Sequence, residues 1–217
     1  IRAVSALEQG YHRLVIDDGS PDGTAVQVQK HQKDFPDRLF LICRSGKLGL
    51  GTAYITGFKW ALEHGYDYVT EMDADFSHDP NDLPRLSACC EIEGADVAIG
   101  SRYADGVSVV NWPIGRIIMS YYASVYTRTI LRTGIMDSTA GFVCWSAKVL
   151  RAIDLDAVKM KGYGFQIEMK YTAKMKGFRV KEVPVIFVNR KAGTSKMSGS
   201  IFGEAFWGVI GLRFRKF

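Results

Sequence analysis

The chain has 217 residues and a formal net charge of +5, with 47% hydrophobic and 24% charged residues. That length suits one α/β domain with a sizeable core, and no stretch is rich enough in Pro, Ser or one charge sign to be a disordered tail or linker. The mild basic excess favours nucleotide phosphates or anionic lipid head groups, while its dispersion and the lack of a recognition motif argue against a nucleic-acid reader.

Residues 1–9 carry apolar positions at helical spacing and stop at Gly10, as the end of a helix would. The run 14–16 reads as a buried strand entering the turn-rich cluster Asp17, Asp18, Gly19, Ser20, Pro21, Asp22, Gly23. A helix over 24–34, a strand at Leu39–Cys43 and a turn containing Gly46, Gly49 and Gly51 follow, the last opening a helix that ends near Gly65. The alternation repeats with a strand at 66–72, a helix at 81–91 and a strand at 95–99, which implies parallel pairing with right-handed crossovers. Beyond Arg116 the pattern turns mixed, with a helix at 117–131, a strand at 141–145, a helix at 165–176 and a strand at 180–188.

No apolar run reaches the roughly 18 to 20 residues that span a bilayer, and the amino end lacks a signal-peptide pattern, so the expectation is a cytoplasmic protein. The segment 201–214 is apolar and aromatic, interrupted by Glu204 and bordered by Arg213, Arg215 and Lys216, which suits contact with a membrane interface. Cys43, Cys89, Cys90 and Cys144 have neither Cys-x-x-Cys spacing nor nearby His partners, so neither a zinc site nor a disulfide framework is expected.

In open α/β sheets ligands bind outside the carboxyl ends of strands, and four such ends carry polar clusters. Asp73 and Asp75, one residue apart after the 66–72 strand, can face one Mg²⁺ or Mn²⁺ carrying a diphosphate; the alternative is a solvated turn or helix cap. Asp17 and Asp18 either offer a carboxylate to a base or ribose or close an Asx turn, with Asp22 near the next helix start; both can hold together. Arg102, after the 95–99 strand, could grip a phosphate bidentately. The loop from Asn189 through Arg190, Lys191, Gly193 and Thr194 to Lys196 has the composition of an anion-gripping loop, or of a solvated basic one. The glycines at 46–51 lack a P-loop ending, so close packing at a helix start is the safer account, and His78 reads as structural.

Taken in order, VIDDGSPDGT at 15–24, GLGTA at 49–53, DADFSH at 73–78, GSRY at 100–103, DSTAGF at 137–142 and RKAGTSK at 190–196 closely resemble the dolichol-phosphate mannosyltransferases of glycosyltransferase family 2. The resemblance implies a GT-A fold over 1–217 as a single domain, a Rossmann-like, mostly parallel nucleotide-binding sheet with a mixed acceptor-side half. It implies inverting transfer of mannose from GDP-mannose to a polyprenyl or dolichyl phosphate, by an enzyme peripheral at the cytoplasmic face of a membrane. On that pattern Asp18 contacts the nucleoside, Asp73 and Asp75 hold Mg²⁺ or Mn²⁺ on the donor diphosphate, and Arg102 lies near the phosphates. Arg116, Arg190 and Lys196 surround the acceptor phosphate, which leaves Asp75, Arg102 and Arg190 as the catalytic set. Family members begin with a strand bearing a Pro-Thr-Tyr-Asn-Glu-like motif that does not precede Ile1, and some carry Gln where this chain has Ser77. A dolichyl-phosphate glucosyltransferase using UDP-glucose would share most of these motifs, and a non-catalytic nucleotide-sugar binding module is the reading from another class.

Overall fold

The side-chain alternation of a strand sends neighbouring residues to opposite faces, and here that period builds two core layers around one sheet. In the computed structural model, which describes residues 1–160, 162–189 and 199–215, strands β3 (Tyr68–Glu71), β4 (Val97–Ser101), β6 (Val143–Ser146) and β7 (Val180–Pro184) lie in the order β3-β6-β4-β7. Val97 and Ile99 of β4 join Val143 and Trp145 of β6 in a layer with Phe58, Phe165 and Met169. Ala98 and Cys144 enter the opposite layer, with Leu83, Leu86, Cys89, Cys90 and Phe142. Covered on both faces, β4 is buried at every position.

The helices that supply those layers follow from the sequence. α3 (Leu50–Glu63), α6 (Ala147–Ala152) and α7 (Gly162–Met175) contribute to the first layer, α4 (Leu83–Glu91) to the second. α3 starts behind Gly49, whose φ of 102° strains any residue with a Cβ. Two residues on, a Cβ at Gly51 would sit 2.9 Å from a ring carbon of Phe165, so the glycine lets α3 close on α7. The expected close packing at this helix start is therefore present at Gly51.

Strands β1 (Arg13–Asp17) and β2 (Leu39–Cys43) form a separate parallel pair, with Val15 opposite Leu41 and the helix α2 (Thr24–Gln32) between them in the chain. The parallel pairing expected of the alternating half holds there and for β4 with β7, but β3 and β4 are each antiparallel to β6. The 180–188 strand divides at Pro184, whose ring removes a ladder donor: β7 stops there and β8 (Phe187–Val188) pairs instead with β5 (Val109–Val110). The helix expected at 81–91 begins with a 3₁₀ turn at Pro80–Asp82, because the Asp79 carboxylate accepts the Asn81 N–H at 2.9 Å and caps it. The helical residues near the amino end reduce to α1 (Arg2–Ser5).

α5 (Ile114–Leu131) follows Pro113 and ends at Arg132 in the left-handed region. α8 (Gly199–Arg213) docks on α5 and α7 through Val209 and Leu212 against Leu131, Ile167 and Tyr171. Among the described residues, no helix is long and apolar enough to cross a membrane, and the four cysteines are free thiols.

Candidate active site

The two acidic strand ends meet at the first turn of α3. At the end of β1 the buried Asp17 turns inward and accepts the N–H groups of Gly19 (3.2 Å) and Ser20 (3.1 Å), while Asp22 accepts the Thr24 N–H at 3.0 Å. That is the Asx geometry expected of the cluster, and it leaves Asp18 for another task. Asp18 takes a two-pronged contact from Arg44, with Nε and one Nη each 2.6 Å from a carboxylate oxygen. Arg44 also donates to Thr52 Oγ1 at 2.9 Å. Two residues further along α3, the Tyr54 hydroxyl donates to Asp73 Oδ1 at 3.3 Å. Burial first, then the nearby carboxylates of Glu71, Asp73 and Asp75, raise the Tyr54 pKa well above its ordinary value.

Asp75 is fixed by its own loop, accepting the Ser77 N–H at 3.0 Å. Between them Phe76 sits at φ 60°, an uncommon conformation for a bulky residue, and exposes its ring. Carboxylates oriented by such bonds form a hard-oxygen donor set that fits Mg²⁺ or Mn²⁺. Among the described residues no cluster of three or more His, Cys, Asp or Glu could hold a metal ion by itself. The Ser77 hydroxyl is buried without a hydrogen-bond partner.

Arg102 leaves the end of β4 and closes on Asp137, with Nε to Oδ2 at 2.7 Å and Nη2 to Oδ1 at 2.6 Å, while Nη2 also reaches Thr139 Oγ1 at 2.8 Å. The bidentate face expected to grip a phosphate is thus turned to Asp137. Burial alone would raise the Asp137 pKa, but the adjacent guanidinium holds it below its ordinary value. Glu182 on β7 accepts the N–H groups of Met136 (2.7 Å) and Asp137 (2.9 Å), so the loop under Arg102 is itself anchored. A Cβ at Gly100 would lie 2.9 Å from a ring carbon of Phe142, which is why the strand end that carries Arg102 can lie against this segment.

At the other side, Arg116 opens α5, stacks 3.9 Å from the centre of the Trp112 ring and donates to Asn189 Oδ1 at 3.0 Å. The structure therefore brings Arg116 to the residue that precedes Arg190. Arg190 and Lys196 lie outside the described residues.

Sequence reasoning did not find Arg44, Tyr54, Glu71, Gln166, Lys170 or Glu182. Arg44 and Tyr54 were within reach, because Arg44 follows β2 directly and Tyr54 is one turn into the glycine-opened helix. Gln166 and Lys170 were not, since polar residues four apart on a helix look like a solvated face until α7 is seen to be buried throughout 164–173.

Residues 2–155 match the family model described as glycosyl transferase family 2. A polyprenol monophosphomannose synthase of Mycolicibacterium smegmatis is 48% identical, over 92% of this chain and 77% of that protein. An undecaprenyl-phosphate mannosyltransferase of Micrococcus luteus is 47% identical, over 93% of this chain and 86% of that protein. Among solved structures, a glucosyl-3-phosphoglycerate synthase of Mycobacterium tuberculosis in complex with phosphoglyceric acid superposes with a TM-score of 0.65 at 16% identity, over 93% of this chain and 68% of that one. The same enzyme in complex with Mn²⁺, UDP and glucosyl-3-phosphoglycerate gives 0.63 over 98% of this chain and 75% of that one, again at 16% identity. The family match over most of the chain and the two identities near one half place this protein in glycosyltransferase family 2, as a glycosyltransferase of GT-A fold.

Proposed function

We propose that the protein transfers a mannosyl residue, with inversion, from GDP-mannose to a polyprenyl or dolichyl phosphate at the cytoplasmic face of a membrane. The observation that carries this reading is the start of α3, which touches the Asp18–Arg44 pair through Thr52 and Asp73 through Tyr54. A nucleoside held by Asp18 would then direct its diphosphate toward Asp73 and Asp75. The names of the two relatives near half identity support mannose and a polyprenyl phosphate as donor sugar and acceptor. Mn²⁺ and UDP bound together in the M. tuberculosis enzyme support a divalent cation beside the donor diphosphate.

The acceptor phosphate is already ionised near neutral pH, since a phosphate monoester has its second pKa at about 6. It can attack the anomeric carbon without a general base, so the residues have to align it and compensate its charge. Arg116, Arg190 and Lys196 would hold it against the open side of the sugar. Arg102, engaged by Asp137, would lie near the diphosphate. Asp73 and Asp75 would hold Mg²⁺ or Mn²⁺, which supplies Lewis-acid compensation for charge on the departing nucleoside diphosphate. His78, buried and neutral, takes no proton in this scheme.

The test is a transfer assay offering GDP-mannose and UDP-glucose to a polyprenyl phosphate with Mn²⁺. Mannose should move from GDP-mannose, and Asp75→Ala should lower kcat by about 100-fold or more, the order expected when a metal ligand worth several kcal/mol is removed. Preferential transfer of glucose from UDP-glucose would sink the donor assignment, and wild-type rates in Asp75→Ala with Mn²⁺ would sink the metal assignment.

A further inference from the structure

Behind the acidic strand ends lies a set of buried polar side chains that the scheme above leaves unused. Lys170, in the middle of α7, is 1% exposed, Gln166 one turn before it 1%, and Glu71 at the end of β3 4%. The Lys170 ammonium donates to the carbonyl oxygens of Ser138 (3.1 Å) and Ala140 (2.5 Å) and to Gln166 Oε1 (3.3 Å). Three acceptors match the three N–H groups of an ammonium, and a neutral amine could serve only two. Gln166 turns its other end to Glu71, donating from Nε2 at 3.0 Å, and Glu71 also accepts from Trp145 Nε1 at 3.1 Å.

Each end of this chain reaches a part of the candidate site. Ser138 and Ala140 flank Thr139, which together with Asp137 grips Arg102. Glu71 precedes Asp73 by two residues on the strand that delivers it. Within this network two basic side chains (Lys170, Arg102) accompany two acidic ones (Glu71, Asp137), all of them buried. A buried ion pair gains little stability over apolar residues of similar volume, because desolvation offsets its attraction, so stability alone gives weak reason for such a network. What it does supply is directionality: three bonds from one nitrogen fix two carbonyls and an amide in space.

We propose that Lys170 is a positioning residue for the transfer reaction, holding the 137–140 segment, and with it Arg102, in register with the strand end that carries Asp73 and Asp75. The inference rests on the functional reading given above. Its test compares wild type, Lys170→Met and the double variant Lys170→Met/Glu71→Gln, which removes both charges. Three quantities are measured: thermal midpoint, Mn²⁺ affinity by the free-ion EPR signal, and kcat and KM for GDP-mannose.

The single variant should be the least stable, because the Ser138 and Ala140 carbonyls lose their buried donor and Glu71 loses the nearby cation that offsets its burial. The double variant should recover part of the thermal midpoint, the share due to the Glu71 charge, while kcat stays at least 10-fold below wild type and Mn²⁺ binds several-fold more weakly. Should stability, kcat and Mn²⁺ affinity all return together, the pair is merely structural and the proposal is overturned. If the double variant does not fold, Gln166→Met, which keeps both charges, decides the matter. Unchanged kcat and Mn²⁺ affinity there overturn the proposal, and a fall in both at an unchanged midpoint supports it. A wild type that binds Mn²⁺ but transfers no mannose would sink the functional reading alone, because the Mn²⁺ titrations still judge the role of Lys170.

Discussion

His78 lies three residues beyond Asp75, yet its surroundings give it no solvent and no proton to exchange. Its ring sits between Phe142 at 4.9 Å and Phe187 at 5.0 Å, and its Nδ1 has no partner. Burial first, and the Arg102 cation second, push its pKa down to about 4. The unfolded chain would take up that proton near pH 6.5, so the unfolded state binds more protons between pH 6.5 and 4. The stability contributed by the neutral ring is therefore complete above pH 6.5 and is lost as pH falls toward 4. Between pH 7.5 and 5.0 the loss amounts to about 2 kcal/mol by linkage. His78→Phe keeps an aromatic ring in the same slot and should lose that much less over the interval in urea titrations. Parallel losses in the two proteins would show that this histidine is not the acid-sensitive group.

α3 joins what the motifs announce to what they hide. Its opening glycines were legible, and packing at a helix start was the reading that their spacing allowed. The partner was not legible, because Phe165 lies 114 residues away from Gly51 and no local pattern names it. Ala in place of Gly51 gains about 1 kcal/mol of helix propensity but drives a methyl group into the Phe165 ring, an overpacking that costs about 1–3 kcal/mol. The expected sum is a modest loss of stability in Gly51→Ala, read as a lower denaturant midpoint. In a Phe165→Ala background, which removes the Cγ and Cδ2 atoms at 3.1 and 2.9 Å and leaves only Cβ at 3.2 Å, the same change should become neutral or stabilising. A substitution that stabilises both backgrounds equally would mean that α3 does not depend on this contact. The same reasoning explains the strand at 180–188, whose division into β7 and β8 depends on Pro184 and on partners in β4 and β5 that are remote in sequence.

For the molecule as a whole, the order of strands, helices and acidic ends could be read from the chain, because each depends on local periodicity and turn chemistry. Pairing direction at β3, the closing of Arg102 on Asp137 and the burial of Lys170 could not, since each is decided by segments far apart in sequence. On the outer surface a second candidate for lipid contact, beside the 201–214 segment, is the stretch 112–132, with its tyrosines, aliphatics and Arg116, Arg128 and Arg132. On α5, Ile114, Ile118 and Tyr122 follow one another at intervals of four residues, a single helical face, and are 74%, 51% and 64% exposed. On the neighbouring α8, Trp207 is 70% exposed, and the two helices are joined where the Tyr126 hydroxyl donates to the Phe206 carbonyl oxygen at 3.0 Å. Immersing one such side chain in the interface contributes about 1.5–3 kcal/mol if it is fully withdrawn from water. Glu at both Ile118 and Tyr122 should therefore lower flotation with anionic liposomes by 10-fold or more, and transfer to a long-chain acceptor embedded in those liposomes should fall with it. Transfer to a short, water-soluble polyprenyl phosphate should persist, since both side chains are more than half exposed and neither is assigned to the donor or the acceptor. Flotation that survives the double substitution would remove this face of α5 as the lipid contact and return it to ordinary surface.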